Sequence, residues 1–128
     1  MKKTAEERVA EARAEIENLD VEAVEQELRS GDAILVDIRE AHELEANGRI
    51  PEAVHMPRGM LEFYADPASP YHRSELDPEA RVILHCGSGG RSALAADTLQ
   101  QMGYTNVAHL DGGFRAWKEA GQPIEQPT

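Results

Sequence analysis

Apolar residues in this chain follow two patterns: a helical spacing of three or four positions, and short uninterrupted runs. The helical spacing appears first near the N-terminus, on a segment otherwise dense in Glu, Arg and Ala, which are strong helix formers. The apolar positions of this segment are Val9, Ala12, Ile16 and Leu19. They predict an amphipathic leading helix at about residues 4–18. Asp20 and Gly31 are placed to begin and end a second helix.

Uninterrupted apolar runs mark four candidate strands, at residues 33–36, 53–56, 82–85 and 106–110. The first run shows no alternation, which is typical of a strand buried on both faces in a parallel sheet. Helical patterns follow the third and fourth runs, and the last helix has Phe114 and Trp117 at core positions. Strands that alternate with helices predict an α/β domain with a mainly parallel central sheet flanked by helices. Ligands of such domains bind beyond the carboxyl ends of the strands.

Composition narrows the class of protein. The 128 residues suit a single domain, and no apolar stretch approaches the roughly 20 residues of a membrane-spanning helix. A net charge of −11 argues against nucleic acid or a membrane surface as a partner, because both require a basic face. The N-terminal residues turn acidic without an apolar core, unlike a signal peptide, so we expect a cytoplasmic protein. A single cysteine excludes an internal disulfide and agrees with a reducing compartment.

That single cysteine, Cys86, stands where the third apolar run gives way to a glycine-rich segment. The segment consists of Gly87, Ser88, Gly89, Gly90, Arg91 and Ser92, and a helical pattern follows it. Glycines let successive backbone N–H groups turn inward, and the start of a helix adds unpaired donors and the positive end of a dipole. This setting favours the thiolate, which is the nucleophilic form of cysteine. The pattern predicts an anion-binding nucleophile.

A lone cysteine is more often a small buried hydrophobic residue without a chemical role. An inert core cysteine, however, gains nothing from three glycines after it or from an arginine five residues later, so we favour the reactive interpretation. The five histidines show no paired metal-ligand spacing, and one cysteine cannot build a thiolate metal site. We therefore expect no metal. His85 should point to the opposite face of its strand from Cys86, so we do not interpret it as a general base.

Four segments together resemble the motifs of the rhodanese-like sulfurtransferases, in particular the small single-domain members. The loop from Cys86 to Ser92 resembles the active-site loop of that family, which has the form C-x-x-G-x-R-S. The other three segments lie at residues 35–40, 48–57 and 110–117, in the order of the family. Two departures fall in the second of these: Arg49 where the family commonly has His, and Glu52 where it commonly has Gly. They affect a turn rather than the loop.

The resemblance implies a domain layout and a reaction. An N-terminal helical extension would occupy residues 1–19, a rhodanese-like domain residues 20–123, and a short tail with little left to bury residues 124–128. The Cys86 thiolate would take the outer sulfur of a small donor such as thiosulfate, hold it as a persulfide, and pass it to a thiol or cyanide. A protein that accepts the sulfur is a further candidate partner. No cofactor is required.

Roles for the neighbouring residues follow from their chemistry. Arg91 would orient the loop or an anionic donor through its fork of N–H groups, the alternative being a surface ion pair. Ser92 would cap the following helix or donate a hydrogen bond to sulfur, and we favour capping. Asp37 and Arg39, at the end of a predicted strand, would give structural support. Arg58 is a candidate for substrate binding or simply a solvated arginine.

Two other functions compete with sulfur transfer. Cysteine phosphatases and arsenate reductases use a similar strand, loop and helix around a tetrahedral oxyanion, but their loop is one residue longer. The four residues between Cys86 and Arg91 make a narrower cradle, which suits a terminal sulfur better than a phosphoryl group. A binding module that has lost its chemistry would ordinarily have lost the cysteine as well, so sulfur transfer remains the preferred interpretation.

Overall fold

A computed structural model describes residues 1–127 of the chain and shows one parallel sheet between two layers of helices. The helices are α1 (Ala5–Glu15), α2 (Val21–Ser30), α3 (Ala41–Asn47), α4 (Leu61–Ala65), α5 (Gly90–Gln101) and α6 (Gly113–Glu119). The strands are β1 (Glu17–Leu19), β2 (Ala33–Asp37), β3 (Val54–His55), β4 (Arg81–His85) and β5 (Val107–Leu110). A 3-10 turn at Arg58–Met60 precedes α4. The predicted α/β fold with a mainly parallel central sheet is confirmed.

The sheet has the order β1-β5-β4-β2-β3, and every pair within it is parallel. Side chains alternate between its two faces, as the pleat of a strand requires. Val36 and Leu84 belong to a core cluster on the face covered by α4 and α5, whereas Leu35 and Ile83 belong to the cluster covered by α2 and α6. Strand β4 lies at the centre of the sheet, so the residue that follows it emerges in the middle of the carboxyl edge.

The N-terminal segment differs from its prediction. The leading helix was expected to reach about residue 18, but it ends at Glu15, and residues 17–19 form strand β1 at the edge of the sheet. Ile16 and Leu19 therefore do not continue the helical stripe. Ile16 packs on one core cluster and Leu19 is buried in the other. The second helix begins and ends as predicted, with the Asp20 side chain accepting the Ala23 N–H at 2.8 Å and Gly31 in the left-handed conformation.

The C-terminal tail buries more than predicted. The Trp117 indole N–H donates to the carbonyl of Pro123 at 2.8 Å, and Ile124 packs against the cluster under α2 and α6. Glu125 pairs with Arg49 through two backbone hydrogen bonds of 2.8 and 2.9 Å. The expectation that the tail at residues 124–128 has little to bury is wrong for Ile124, which is half-buried, whereas Glu125 is exposed and contributes only backbone hydrogen bonds. Its last residue, Thr128, lies outside the described residues.

No helix within residues 1–127 is both long enough and apolar enough to cross a membrane.

Candidate active site

Cys86 lies at the carboxyl end of the central strand and at the start of α5. Its thiol is buried, with 1% of the residue exposed. The sulfur accepts the backbone N–H of Gly89 at 3.1 Å and that of Ser92 at 3.4 Å, both in the first turn of the helix or just before it. The sulfur therefore sits at the positive end of a helix of 12 residues, which favours a negative charge there.

The loop presents further backbone donors. Among residues 1–127, no protein acceptor is found for the N–H groups of Gly87, Ser88, Gly90 and Arg91. Gly89, with φ of +107°, supplies the left-handed turn through which the chain enters α5. Consecutive unpaired N–H groups form the kind of concave site that binds anions.

Helix α6 holds the loop from the other side. The Phe114 N–H donates to the carbonyl of Cys86 at 2.8 Å, and the Arg115 N–H donates to that of Gly87 at 3.0 Å. A Cβ atom on Gly113 would lie 2.6 Å from the Cys86 carbonyl oxygen, so only glycine permits this approach. These two hydrogen bonds fix the backbone of Cys86 and Gly87 against α6.

Arg91 forms a two-pronged ion pair with Glu43 of helix α3, with N–O distances of 2.8 and 2.9 Å. Hydrogen bonds from the guanidinium lower the pKa of Glu43 to about 2, and the same bonds raise the pKa of Arg91. The outer nitrogen of Arg91 lies close enough to Gly87 that a Cβ there would be 3.1 Å from it. Arg91 was expected either to orient the loop or an anionic donor, or to form a surface ion pair. The structure contains the ion pair, and this pair ties the loop to α3.

Ser92 does not cap the helix. The N-cap is Gly89 and Ser92 lies in the first turn, so the favoured capping role is wrong. Its Oγ lies 3.5 Å from the Cys86 sulfur and 2.8 Å from Nδ1 of His109, and all three side chains are buried. Ser92 therefore contacts the sulfur through its hydroxyl as well as through its backbone N–H.

Asp37 and Arg39 form a buried ion pair under the site, with N–O distances of 2.8 and 3.0 Å. Arg39 also donates to the carbonyl of Gly48 at 3.0 Å and lies 4.2 Å above the ring of Phe114. Burial alone would raise the pKa of Asp37, but hydrogen bonds from Arg39 and nearby positive charge hold it below its ordinary value. The pair joins the end of β2 to the segment before β3 and to α6.

His85 faces away from the sulfur. Its ring stacks on Phe114, in the cluster opposite to the one that contains Cys86, as the alternation along the strand predicts. Its Nε2 lies 3.6 Å from an Asp37 carboxylate oxygen. Burial lowers the pKa of His85, so the ring is neutral at neutral pH and has no contact with the sulfur through which to act as a base.

The contacts found for Arg58 do not include the loop from Cys86 to Ser92. Its guanidinium pairs with Glu62 at 2.7 Å, and it lines a cleft with Ala5 and Arg8 on the side of α1. A different cavity, of about 230 Å³, opens beside Gly87 and is lined by Glu43, Phe114, Arg115 and Lys118, among others. Arg115 and Lys118 therefore lie beside the loop together with Arg39, and the sequence did not single out these two cations.

Three further residues near the loop were not predicted from the sequence. Glu43 pairs with Arg91, His109 contacts Ser92, and Asn18 contacts His109. Each belongs to an element remote from the loop in sequence, and no motif marked any of them. Within residues 1–127, no group of three or more His, Cys, Asp or Glu side chains is placed to hold a metal ion.

One buried thiol is surrounded by a strand, a glycine-rich loop and a helix, which provide backbone donors. Together they define a cysteine-centred anion site on a parallel α/β domain. Residues 20–120 match the model of the rhodanese-like domain family. A sulfurtransferase of Allochromatium vinosum is 36% identical over 113 residues, which cover 88% of this chain and 97% of that protein. The chain belongs to the rhodanese-like domain family, and these relatives support a role in sulfur transfer. It spans about half the length of two other relatives, of 31% and 36% identity.

Two solved structures extend the likeness to nearly the whole chain. A Rhodopseudomonas palustris protein of unknown function, named a possible tyrosine phosphatase, is 42% identical with a TM-score of 0.93. That comparison covers 98% of this chain and 96% of the other, so it includes helix α1. The polysulfide-sulfur transferase homodimer of Wolinella succinogenes is 31% identical with a TM-score of 0.77, over 94% of this chain and 86% of that one.

Proposed function

We propose that the protein moves sulfane sulfur from a small anionic donor such as thiosulfate to a thiol or cyanide, through a persulfide on Cys86. The observation that carries this proposal is the environment of the sulfur: two backbone N–H groups at 3.1 and 3.4 Å, at the start of α5. Preorganised donors of this kind stabilise negative charge without reorganising during the reaction. They would serve the thiolate first and the outer sulfur of the persulfide afterwards.

The first half-reaction needs only the donor and the thiolate. The Cys86 sulfur attacks the outer sulfur of thiosulfate and forms a new S–S bond. The original S–S bond of thiosulfate breaks, and sulfite leaves with its electron pair. The loop N–H groups without a protein acceptor, at Gly87, Ser88, Gly90 and Arg91, are the donors available to the outer sulfur. No external oxidant or reductant enters this step.

The second half-reaction requires an external acceptor. The chain contains one cysteine, so no second thiol can displace the sulfur as an intramolecular disulfide. Cyanide or a thiolate attacks the outer sulfur, the S–S bond to Cys86 breaks, and the thiolate of Cys86 is restored. A protein thiol is a further candidate for this acceptor. A cytoplasmic location, which would keep Cys86 reduced, remains a prediction from the sequence.

Arg91 and the Asp37–Arg39 pair support the loop in this proposal. Arg91 ties the loop to α3 through Glu43, and the buried pair fixes the strand end beneath it. Arg115 and Lys118 line the cavity beside Gly87 and supply positive charge at the entrance. We assign the attraction of an anionic donor to these two side chains rather than to Arg58, because Arg58 lines a cleft on the side of α1 and not the cavity beside Gly87.

Steady-state turnover tests the proposal. Thiocyanate formed from thiosulfate and cyanide is measured for the wild type and for Cys86→Ser, which keeps the shape of the loop. We expect turnover by the wild type and none by the variant. Equal turnover by both proteins would contradict the role of Cys86.

A phosphatase activity is a second candidate, because the Rhodopseudomonas palustris structure of 42% identity carries that name. A phosphoryl group needs a wider cradle than the four residues between Cys86 and Arg91 provide. The same two proteins are therefore assayed with p-nitrophenyl phosphate and with arsenate. Phosphatase or arsenate reductase turnover that depends on Cys86, without thiocyanate formation, would replace sulfur transfer as the proposed function.

A further inference from the structure

A chain of hydrogen bonds runs from the Cys86 sulfur to the N-terminal segment. Ser92 Oγ lies 3.5 Å from the sulfur, His109 Nδ1 lies 2.8 Å from that Oγ, and Asn18 Oδ1 lies 2.7 Å from His109 Nε2. Cys86, Ser92 and His109 are all buried, whereas Asn18 lies on strand β1 at the exposed edge of the sheet. Asn18 precedes the segment that matches the family, which begins at residue 20.

The backbone around Asn18 fixes the direction of this chain at its outer end. The Asn18 amide nitrogen donates to the carbonyl of Arg13 at 3.0 Å and to that of Ile16 at 3.2 Å. Both partners are acceptors, so the amide nitrogen must face them and the amide oxygen must face His109. Since that oxygen only accepts, Nε2 of His109 carries a hydrogen.

His109 has only that one ring hydrogen at neutral pH. Burial of the ring lowers the pKa of His109 to about 4. The charged groups that face the ring are Asp111, which opposes this shift, and Arg13, which adds to it, and these two pair with each other at 3.5 Å. A neutral imidazole with its hydrogen on Nε2 leaves Nδ1 as an acceptor.

Ser92 must therefore give its hydroxyl hydrogen to His109. The alternative acceptor is the carbonyl of Gly89, at 3.3 Å against 2.8 Å for Nδ1. A hydroxyl has one hydrogen, so the side of Ser92 Oγ that faces Cys86 presents lone pairs. It accepts from a thiol S–H, but it has no hydrogen for a thiolate.

We propose that Asn18 and His109 are positioning residues for Cys86, which act through Ser92 by directing its hydroxyl hydrogen away from the sulfur. Within residues 1–127, the backbone N–H groups of Gly89 and Ser92 are then the only two donors to the sulfur. Nucleophilicity of a thiolate falls as its negative charge is more strongly stabilised. Withholding a third donor keeps the sulfur a stronger nucleophile, and strand β1 thereby becomes part of the site.

Titration of the thiolate tests this proposal without any sulfur substrate. Cys86 is the only thiol, so ultraviolet thiolate absorbance reports on it alone, with Cys86→Ser as the blank. His109→Phe removes the acceptor and frees the Ser92 hydroxyl to donate to the thiolate. We expect the titration midpoint to fall by about one pH unit, roughly a tenfold change in the ionisation constant. Asn18→Ala frees the position of the ring hydrogen and should shift the midpoint the same way, but less.

Two further variants separate this effect from general damage. Ser92→Ala combined with His109→Phe removes the freed hydroxyl, so the midpoint should return toward the wild-type value. His72→Phe is the matched control, because His72 bonds only the carbonyl of Leu76 in the loop before β4. It should leave the midpoint unchanged. No shift in His109→Phe would overturn the proposal, and a rise would instead make His109 the proton acceptor of the thiol.

The wild-type protein supplies a test that does not depend on the folding of any variant. Nitrogen-15 shifts of the His109 ring at pH 7 should show a hydrogen on Nε2 and none on Nδ1. A hydrogen on Nδ1, or on both nitrogens, would overturn the proposal. The importance of the positioning for catalysis rests on the proposed function, but these measurements do not. If no persulfide forms and the midpoints shift as expected, the proposed function fails and the positioning stands.

Discussion

Glu52 has a backbone conformation that side chains with a Cβ rarely adopt. Its φ is +70°, and within residues 1–127 it is the only residue other than glycine with a positive φ. It stands where the family commonly has glycine. Left-handed backbone costs a residue with a Cβ about 1–2 kcal/mol, and glycine avoids this at an entropic cost of about 0.5–1 kcal/mol. We expect Glu52→Gly to raise the free energy of unfolding by about 0.5–1 kcal/mol, measured by urea denaturation.

Glu79→Gly is the matched control for this change. Glu79 is also exposed in a turn, but its φ is not positive, so glycine only adds freedom to the unfolded chain there. That variant should lose stability by about 0.5–1 kcal/mol. A loss of stability in Glu52→Gly similar to that in Glu79→Gly would show that the turn at Glu52 carries no strain.

Glu43 holds the loop in the proposed mechanism through its ion pair with Arg91. Glu43→Gln replaces the two charge-assisted hydrogen bonds by a weaker neutral contact. We expect sulfur transfer from thiosulfate to slow by about tenfold, the effect of roughly 1.4 kcal/mol of lost transition-state stabilisation. Stability should change by less than about 1 kcal/mol, because the pair is partly exposed. Glu25→Gln, which removes the partner of Arg29 on α2, away from the loop, should leave the rate unchanged. Equal rates in wild type and Glu43→Gln would show that the ion pair between Arg91 and Glu43 does not contribute to sulfur transfer.

The sequence pointed to those residues of the candidate site that are neighbours in the chain and missed those that tertiary packing brings next to them. Cys86 and its loop are contiguous, so strand pattern, glycines and helix start appear together. Glu43 lies 48 positions from Arg91, and His109 lies 17 positions from Ser92. The capping role predicted for Ser92 is wrong because α5 already begins at Gly90. Its hydroxyl instead contacts His109 on strand β5, a tertiary contact that the local pattern does not show.

The C-terminal tail supports α6 and hence the loop. Trp117, the only tryptophan, donates to Pro123, and Ile124 completes the cluster around it. Deletion of residues 123–128 should expose the indole to water, shift its fluorescence to longer wavelength, and lower stability by about 2–3 kcal/mol through lost apolar burial. Deletion of residues 127–128 alone is the control and should change neither property. Unchanged fluorescence after the longer deletion would contradict the packing of the tail.

Short elements at chain ends were the part of the fold that pattern reasoning could not predict. Ile16 and Leu19 fall at helical spacing from Ala12, yet strand β1 has only three residues, and pairing with β5 decides its conformation. The two caps of α2, at Asp20 and Gly31, were predictable because both residues adjoin the helix in the sequence. Tertiary contacts override spacing where a segment is too short to carry a periodic signal.

The stability of the whole molecule should depend on pH through its buried histidines. Burial lowers the pKa of His85, and it lowers that of His109 from 6.5 to about 4. Both folded-state pKa values lie below the unfolded ones, so the unfolded chain binds more protons than the folded chain below about pH 6.5. The free energy of unfolding therefore decreases as the pH is lowered. His109 alone should lower the free energy of unfolding by roughly 2 kcal/mol between pH 7.5 and 5, and His85 adds to this drop. Urea denaturation across this range checks it.

A variant that lacks one of the two rings isolates its share of this dependence. His109→Phe should reduce the fall in the free energy of unfolding between pH 7.5 and 5. The range above pH 5 also lies above the ordinary pKa values of the carboxylates, which separates the histidines from Asp37 and Glu43. Constant stability from pH 7.5 to 5 would mean that His85 and His109 titrate alike in the folded and unfolded chain.

The central claim is that Cys86 holds a sulfur atom between donor and acceptor. The most direct measurement is the intact mass of the reduced protein before and after thiosulfate, and again after cyanide, with Cys86→Ser in parallel. The account predicts that the wild type gains the mass of one sulfur atom and loses it to cyanide, while the variant stays unchanged. A wild-type mass that does not change with thiosulfate or with a polysulfide donor, or an equal gain on Cys86→Ser, would contradict it.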